Sequence, residues 1–194
     1  MWGLIAVCTL ILVKHAMPEI IPTLPAREWQ LSDAGQLSCL MLAERLSEHR
    51  PDVVITSTEP KAIQTGQIVA DKLGIMCEIG DNLHEHERHN ESFSNRENFE
   101  TTIAEFFSHP DQLVYGLESA DAAYSRFSQA VENITEKHSG QNIVIVAHGT
   151  VITLLLTRKT GKESFPFWQK LGLPSFVVVS LPELTLLKTI TEIE

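Results

Sequence analysis

The hydrophobic residues of this chain are concentrated in short runs, which alternate with longer segments where apolar positions recur at helical spacing. Three of these runs hold an unbroken apolar stretch that polar residues follow; they lie within residues 9–13, 52–57 and 141–147. Such runs are typical of strands that are buried on both faces of a parallel sheet. The pattern therefore predicts a sheet whose central strands are covered by helices on each side.

The segments between these runs have the spacing of helices. They predict helices over residues 33–49, 59–73, 100–107, 119–138 and 150–156. Ser32 is a suitable N-cap for the first helix, and Gly74 fits the C-cap of the second. Apolar residues recur at helical spacing in two of them: Leu37, Leu40, Met41 and Leu46 in the first, and Ala123, Phe127, Ala130, Val131 and Ile134 in the fourth.

The remaining strands complete a recognisable architecture. Residues 75–79 predict a third strand, and residues 176–181 and 184–190 predict a closing hairpin with Pro182 in its turn. Strands that alternate with helices indicate an α/β three-layer sandwich, with a mostly parallel central sheet, helices on both faces and a C-terminal antiparallel hairpin. We expect a single domain over residues 1–194, with an insert or cap at about 80–118, where strand character is lacking.

Composition narrows the possible partners. The net charge of −10 and the scattered lysines and arginines argue against nucleic-acid binding. The apolar residues 2–13 are too short to span a bilayer and lack a basic flank, so we expect a short extension before the first strand and no membrane segment. Cys8, Cys39 and Cys77 are widely spaced and odd in number, which favours buried thiols in a reducing compartment, the cytoplasm. Oligomeric state is left open.

Polar side chains follow each of the three buried runs. The first ends in Lys14 and His15, the second in Ser57 with Lys61 one turn into the next helix, and the third in His148. Ligands bind at the carboxyl edge of open α/β sheets, where parallel strands would bring these residues together. Taken alone, the first of these ends is equally consistent with an ordinary polar strand terminus. Together they supply two histidines and two lysines, which suits phosphoryl transfer with a histidine nucleophile.

Four motifs resemble those of the histidine phosphatase superfamily, also called phosphoglycerate mutase-like. Lys14-His15-Ala16 resembles the family's Arg-His-Gly signature, and Ser57-Thr-Glu-Pro-Lys-Ala-Ile-Gln-Thr65 resembles Ser-x-x-x-Arg-Ala-x-x-Thr. Ile145-Val-Ala-His-Gly149 resembles the strand that leads to its His-Gly motif, and Leu83-His-Glu85 resembles the segment that carries its acid. All four stand in the family's order and together cover most of the chain.

The resemblance implies a catalytic role for three residues. His15 would be phosphorylated, and His148 would bind the transferring group as the second histidine. Glu85 would protonate the departing alkoxide and later take a proton from the attacking water. Glu87 lies two residues further on in the same polar segment and is the alternative acid. The family needs neither a metal nor a cofactor for this reaction.

The resemblance also implies a phosphate pocket, and there the chain departs from the family pattern. Lys14 and Lys61 stand at the two arginine positions, with Gly149 of the His-Gly motif as a further phosphate-binding residue. Arginine offers a planar bidentate fork, whereas lysine is a compact point charge, so we expect looser clamping of phosphate. Ala16 in place of glycine is a minor change.

These observations favour a metal-independent phosphomonoester hydrolase that acts through a phosphohistidine on a small phosphorylated metabolite. A phosphoglycerate mutase-type phosphotransferase and a non-catalytic phospho-ligand-binding protein are the alternatives. A metal cluster of His84, His86 and His89 is disfavoured, since their spacing fits neither a helical pair nor a Cys-His site. The physiological substrate depends on residues 17–25 and 80–118, whose shapes the sequence does not give.

Overall fold

The computed structural model describes residues 8–91 and 93–193. The expected apolar extension at residues 2–7 lies outside them. Within the described residues the chain forms six strands and six α-helices, together with a short 3-10 helix at Ala26–Glu28. In chain order they are β1 (Thr9–Lys14), α1 (Asp33–Ser47), β2 (Val53–Thr56), α2 (Pro60–Leu73), β3 (Met76–Ile79), α3 (Arg96–Ser108), α4 (Ala120–Lys137), β4 (Ile143–Ala147), α5 (Gly149–Thr160), α6 (Ser164–Lys170), β5 (Ser175–Ser180) and β6 (Thr185–Ile190).

The six strands form one sheet in the order β3-β2-β4-β1-β5-β6. The first four of that order run parallel, whereas β5 is antiparallel to β1 and β6 is antiparallel to β5. The predicted mostly parallel sheet with a C-terminal hairpin is therefore confirmed. The register pairs Lys14 with Ala147 and Thr56 with Val146, so β1, β2 and β4 end at the same level.

The core lies on both faces of this sheet because successive strand residues point to opposite sides. On one face, Leu10 and Leu12 pack in a cluster that includes Phe127 of α4. On the other face, Ile11 and Val13 pack in a cluster with residues of α1 and α2. The predicted three layers thus follow from central strands that bury apolar residues on both faces of the sheet.

Helix α1 begins where the sequence predicts, but it buries a different face. The Ser32 hydroxyl accepts a hydrogen bond from the backbone N–H of Gly35, which confirms the N-cap. Leu37 is 66% exposed, and Leu40 and Met41 are exposed as well. The face that packs on the sheet is formed by Gly35, Cys39, Leu42, Ala43 and Leu46. Apolar residues lie on more than one side of this helix, so periodicity alone does not identify the buried side.

Two helices differ from the sequence expectation near the sheet's carboxyl edge. Helix α3 is longer than predicted because Asn95 caps it by accepting from the N–H of Asn98. Helix α6, a single short segment around Pro166, is not predicted by the sequence pattern. Residues 80–118, hereafter the insert, contain α3 and, leaving aside residue 92, no strand. That the insert acts as a cap stays a prediction. In the described part of the chain, no helix has the length and apolarity to cross a membrane.

Candidate active site

His15 follows β1 directly and is held in one orientation. Its backbone N–H donates to Ala147 O at 3.1 Å, and its ring Nδ1–H donates to the carbonyl oxygen of Ala16 at 2.8 Å. Burial and the neighbouring charges of His148 and Lys61 lower the pKa of His15 well below its usual value. The ring is therefore neutral at pH 7, and because Nδ1 carries the proton, Nε2 keeps its lone pair. This is the state that a histidine nucleophile requires.

His148 follows β4 and faces His15 across the edge of the sheet. The two ring centroids are 5.1 Å apart, with an angle of 61° between the ring planes. His148 Nε2 lies 2.7 Å from Ser57 Oγ, whereas Nδ1 is buried and finds no hydrogen-bond partner among the described residues. Burial, with Lys61 as the next cause, lowers the pKa of His148 as well. The site thus contains two neutral imidazoles in contact.

Lys14 brings a cation to the same edge from the end of β1. Its Nζ donates to the carbonyl oxygen of Leu171 at 2.6 Å. Burial lowers the pKa of Lys14 to about 8, and Glu85 opposes that shift. A Cβ atom on Gly149 would lie 3.1 Å from Lys14 Cε and 3.4 Å from Trp168 Nε1. A glycine at this position therefore leaves room for the lysine side chain.

Lys61 is the second buried cation, in the first turn of α2. Only 5% of Lys61 is exposed. Because lysine is seldom fully buried unless it is paired, a partner is expected. Its Nζ donates to Ala26 O at 2.7 Å and forms an ion pair with the carboxylate of Glu59. Sequence reasoning did not identify Glu59. The available signal was a carboxylate two residues before a lysine at a helix N-terminus, within the motif of residues 57–65.

Glu85 joins the insert to the start of α5. Its carboxylate accepts hydrogen bonds from the backbone N–H groups of Thr150, Val151 and His86 at 3.1, 3.3 and 2.9 Å. Burial alone would raise the pKa of Glu85, but Arg88, His148 and these N–H donors outweigh it and lower the value to about 2. The free protein therefore holds Glu85 as a carboxylate beside His148.

The other polar residues of this segment have different surroundings. Glu87 is half exposed and lies beside His84, 3.4 Å from its Nε2, whereas the Glu85 carboxylate contacts the first turn of α5, next to His148. His86 is buried and its Nε2 contacts Glu118 O at 3.0 Å, whereas His89 is exposed. Within residues 8–91 and 93–193, no group of three or more His, Cys, Asp and Glu side chains is placed to hold a metal ion.

An aromatic wall lies beside Lys14 at the Gly149 position. Trp168 stacks on Phe165 with 6.0 Å between ring centroids, and its ring meets Phe99 of α3 edge-on at 5.9 Å. The guanidinium of Arg88 lies 5.1 Å from the centre of the Phe99 ring and 3.9 Å from a carboxylate oxygen of Glu85. Helix α6 and the insert thus meet at the rim of the site.

The six-stranded α/β sheet thus carries two histidines in contact at its carboxyl edge. Residues 10–182 match the histidine phosphatase superfamily (branch 1). The match covers most of the chain, so the chain belongs to that superfamily. The family resemblance read from the four motifs is thereby confirmed.

Named relatives fall in the same superfamily. The chain is 33% identical over 139 residues to phosphoglycerate mutase-like protein 4 of Arabidopsis thaliana, a match that covers 66% of this chain and 60% of the relative. It is 30% identical over 146 residues to a metal-independent phosphoserine phosphatase of Arabidopsis thaliana, with 71% and 61% covered. The chain therefore spans about three fifths of the length of these curated relatives.

Solved structures share the fold. The phosphoserine phosphatase of Entamoeba histolytica, solved in complex with phosphoserine, superposes with a TM-score of 0.76. The superposition covers 95% of this chain and 97% of that one, at 16% sequence identity. At this identity the likeness shows a common fold.

Proposed function

We propose that this protein hydrolyses small phosphomonoesters through a phosphohistidine on His15, with neither a metal nor a cofactor. The observation that carries the proposal is the pair of facing histidines. His15 is neutral and held by Ala16 O so that Nε2 is free, and it lies 5.1 Å, ring to ring, from His148. Lys14 and the buried Lys61 lie at the same edge and supply positive charge for the transferred phosphoryl group.

The first step transfers the phosphoryl group to the enzyme. His15 Nε2 forms the N–P bond as the bond between phosphorus and the ester oxygen breaks, with Lys14 and Lys61 on the equatorial oxygens. Ser57 Oγ accepts from the N–H of Glu59 and lies 2.7 Å from His148 Nε2. In the mechanism we propose, the proton of His148 is on Nδ1, the buried atom with no partner among the described residues. Nε2 then accepts from the Ser57 hydroxyl, and Nδ1 donates to a phosphoryl oxygen.

Glu85 handles the protons in both steps. It is ionised in the free protein, so the proton enters with the phosphomonoester monoanion, whose second pKa is near 6. A phosphoryl group beside the carboxylate raises the pKa of Glu85, which takes that proton and delivers it to the departing alkoxide. In the second step Glu85 takes a proton from water, the hydroxide oxygen bonds to phosphorus, and the N–P bond of His15 breaks to release phosphate.

The proposal extends to the substrate and its surroundings. The Entamoeba structure holds phosphoserine, a small phosphomonoester, and we propose the same substrate class here. The net charge of −10 disfavours a nucleic-acid partner, and the dispersed cysteines favour a cytoplasmic location.

Hydrolysis of p-nitrophenyl phosphate in the presence of a chelator tests this function. We expect phosphate release by the unaltered protein and a loss of at least about 10³-fold in His15→Ala, since the nucleophile is removed. His109→Ala is the matched control, because that histidine is exposed at the end of α3. Equal turnover by His15→Ala and the control would contradict the proposal. Absence of turnover on a panel of phosphomonoesters, with phosphate still bound, would favour a phospho-ligand-binding protein.

A mutase-type phosphotransferase is the second candidate, and it is favoured by one observation. A relative at 33% identity is named phosphoglycerate mutase-like. The two enzymes differ in the acceptor of the phosphoryl group, which is water for the hydrolase and a second hydroxyl of the substrate for the mutase. Incubation with 3-phosphoglycerate and a catalytic amount of the bisphosphate distinguishes them. Free phosphate is expected for the hydrolase, and isomerised phosphoglycerate without net phosphate release identifies a mutase.

A further inference from the structure

We propose that Glu59 is a positioning residue, which fixes Lys61 and the Glu85 backbone for phosphoryl transfer and weakens the resting affinity of the site for phosphate. The inference rests on the proposed function, because it concerns the same site. It adds to Glu85 a second carboxyl group, whose negative charge repels the phosphate of the substrate. The position falls among the unspecified residues of the Ser-x-x-x-Arg-Ala-x-x-Thr pattern.

The contacts of Glu59 connect three parts of the site. One carboxylate oxygen forms the ion pair with Lys61 Nζ. The other accepts from the backbone N–H of Glu85 at 2.8 Å and lies 3.5 Å from His148 Nε2. Only 7% of Glu59 is exposed, so these contacts replace water around the carboxylate. A buried carboxylate with this set of neighbours links the phosphate pocket to the acid and to the second histidine.

The position of Glu59 in the helix shows that its side chain is directed to the site. Glu59 is the N-cap residue of α2, a position where Ser, Thr, Asp and Asn are preferred because their side chains accept from the first backbone N–H groups. Here the side chain makes no such cap hydrogen bond. The contacts with Lys61 and with the Glu85 N–H are made instead, so the local helix gains little from this carboxylate.

The presence of lysine explains why a positioning carboxylate is needed. A lysine ammonium lies on a flexible stem and has three donors without a fixed fork. Two donors of Lys61 are used by Ala26 O and by Glu59. These contacts fix the ammonium and leave one donor for a phosphoryl oxygen. The contact with Glu59 therefore fixes the Lys61 ammonium, whereas the planar guanidinium of an arginine has a fixed arrangement of donors of its own.

The charge of Glu59 has a second consequence for binding. A phosphate dianion beside Lys61 also lies near this carboxylate, and like charges in a water-poor site repel each other. In the metaphosphate-like transition state the charge is spread over three oxygens, so the repulsion is felt most by the bound dianion. Glu59 therefore disfavours tight binding of substrate and of product phosphate, which aids turnover.

The test compares phosphate affinity with turnover in Glu59→Gln, which removes the charge and keeps the shape. Calorimetry gives the Kd for inorganic phosphate, and p-nitrophenyl phosphate gives kcat and KM, both at pH 7 with chelator. We expect the Kd to fall about tenfold, as the dianion no longer meets a like charge. We expect kcat to fall about tenfold, as Lys61 loses its fixed position. Glu78→Gln is the matched control. Glu78 also pairs with a lysine, Lys137, at 2.6 Å between the charged atoms, and this pair lies outside the site.

Opposite changes in affinity and turnover separate this role from a structural one. Weaker or unchanged phosphate binding in Glu59→Gln, or kcat equal to that of the control, would overturn the inference. Glu59→Asp tests the inference independently if Glu59→Gln does not fold. The shorter side chain keeps the negative charge but moves the carboxylate away from Lys61. We therefore expect kcat to fall while the phosphate Kd stays within about twofold of that of the unaltered protein. A markedly tighter Kd in Glu59→Asp would overturn the inference as well. The phosphate Kd of Glu59→Gln tests the inference even if the protein hydrolyses no phosphomonoester. Failure of the inference can therefore be distinguished from failure of the proposed function.

Discussion

The carboxylate of Glu85 accepts a hydrogen bond from the backbone N–H of Thr150 at 3.1 Å. This bond joins the insert to the first turn of α5, directly after His148. The N-terminus of a helix favours negative charge, so the same contact that positions the carboxylate also keeps it ionised. Glu85 is therefore ionised before substrate binds and can accept a proton from the bound substrate.

Glu85→Gln should retain phosphate binding and lose turnover. The amide can accept from the Thr150 N–H but cannot exchange a proton, and general acid-base catalysis contributes about 10²–10⁴-fold. Steady-state kinetics with an alkyl phosphate, together with inhibition by vanadate, separates the two effects. Glu87→Gln, from the same segment, is the control. Equal kcat in both variants would exclude Glu85 as the group that handles protons.

The folded protein should lose stability in acid partly through Glu85. Its folded pKa of about 2 lies below the ordinary 4.5, so the stabilisation is complete above pH 4.5 and is lost as pH falls through 2. Urea unfolding from pH 5 to pH 2 should show the unaltered protein losing about 3 kcal/mol more than Glu85→Gln. Parallel stability curves for the two proteins would contradict the lowered pKa.

Phosphate affinity should fall as pH rises through the titration of Lys14. Burial brings the pKa of Lys14 from 10.5 to about 8, so the free protein loses this cation above pH 8. We expect the Kd for phosphate to rise by about tenfold per pH unit between pH 8.5 and 9.5. In Lys14→Arg the cation persists, so its Kd should stay nearly flat over that range. Lys137→Arg is the control, and the same steep rise in Lys14→Arg would show that another group titrates.

The sheet and the grouping of its polar ends follow from the sequence because each central strand has an unbroken apolar stretch with polar residues at its end. Lys14, Ser57 and His148 come directly after or at the end of such strands, so a parallel register brings them to one edge. The buried face of α4 also follows from the sequence, because Phe127 and Val131, which the helical period places on its apolar face, are buried.

What the sequence could not show depends on contacts between distant segments or on a choice between equivalent faces. Leu37 and Met41 fit the helical period of α1, yet they lie on its exposed side. Trp168 reaches the site because α6 packs against α3 of the insert, a contact that no local pattern encodes. Glu59 resembles an ordinary acidic N-cap until the positions of Lys61 and His148 are known.

The central claim is a covalent phosphohistidine on His15, and trapping that intermediate tests it most directly. The protein is mixed with p-nitrophenyl phosphate whose phosphoryl group carries an isotopic label. The reaction is quenched in alkali within milliseconds, and the protein is digested for mass spectrometry. The mechanism requires an acid-labile, alkali-stable label on the peptide that contains His15, and no label in His15→Ala. Label on any other residue, or turnover without label while His15→Ala remains active, would contradict it.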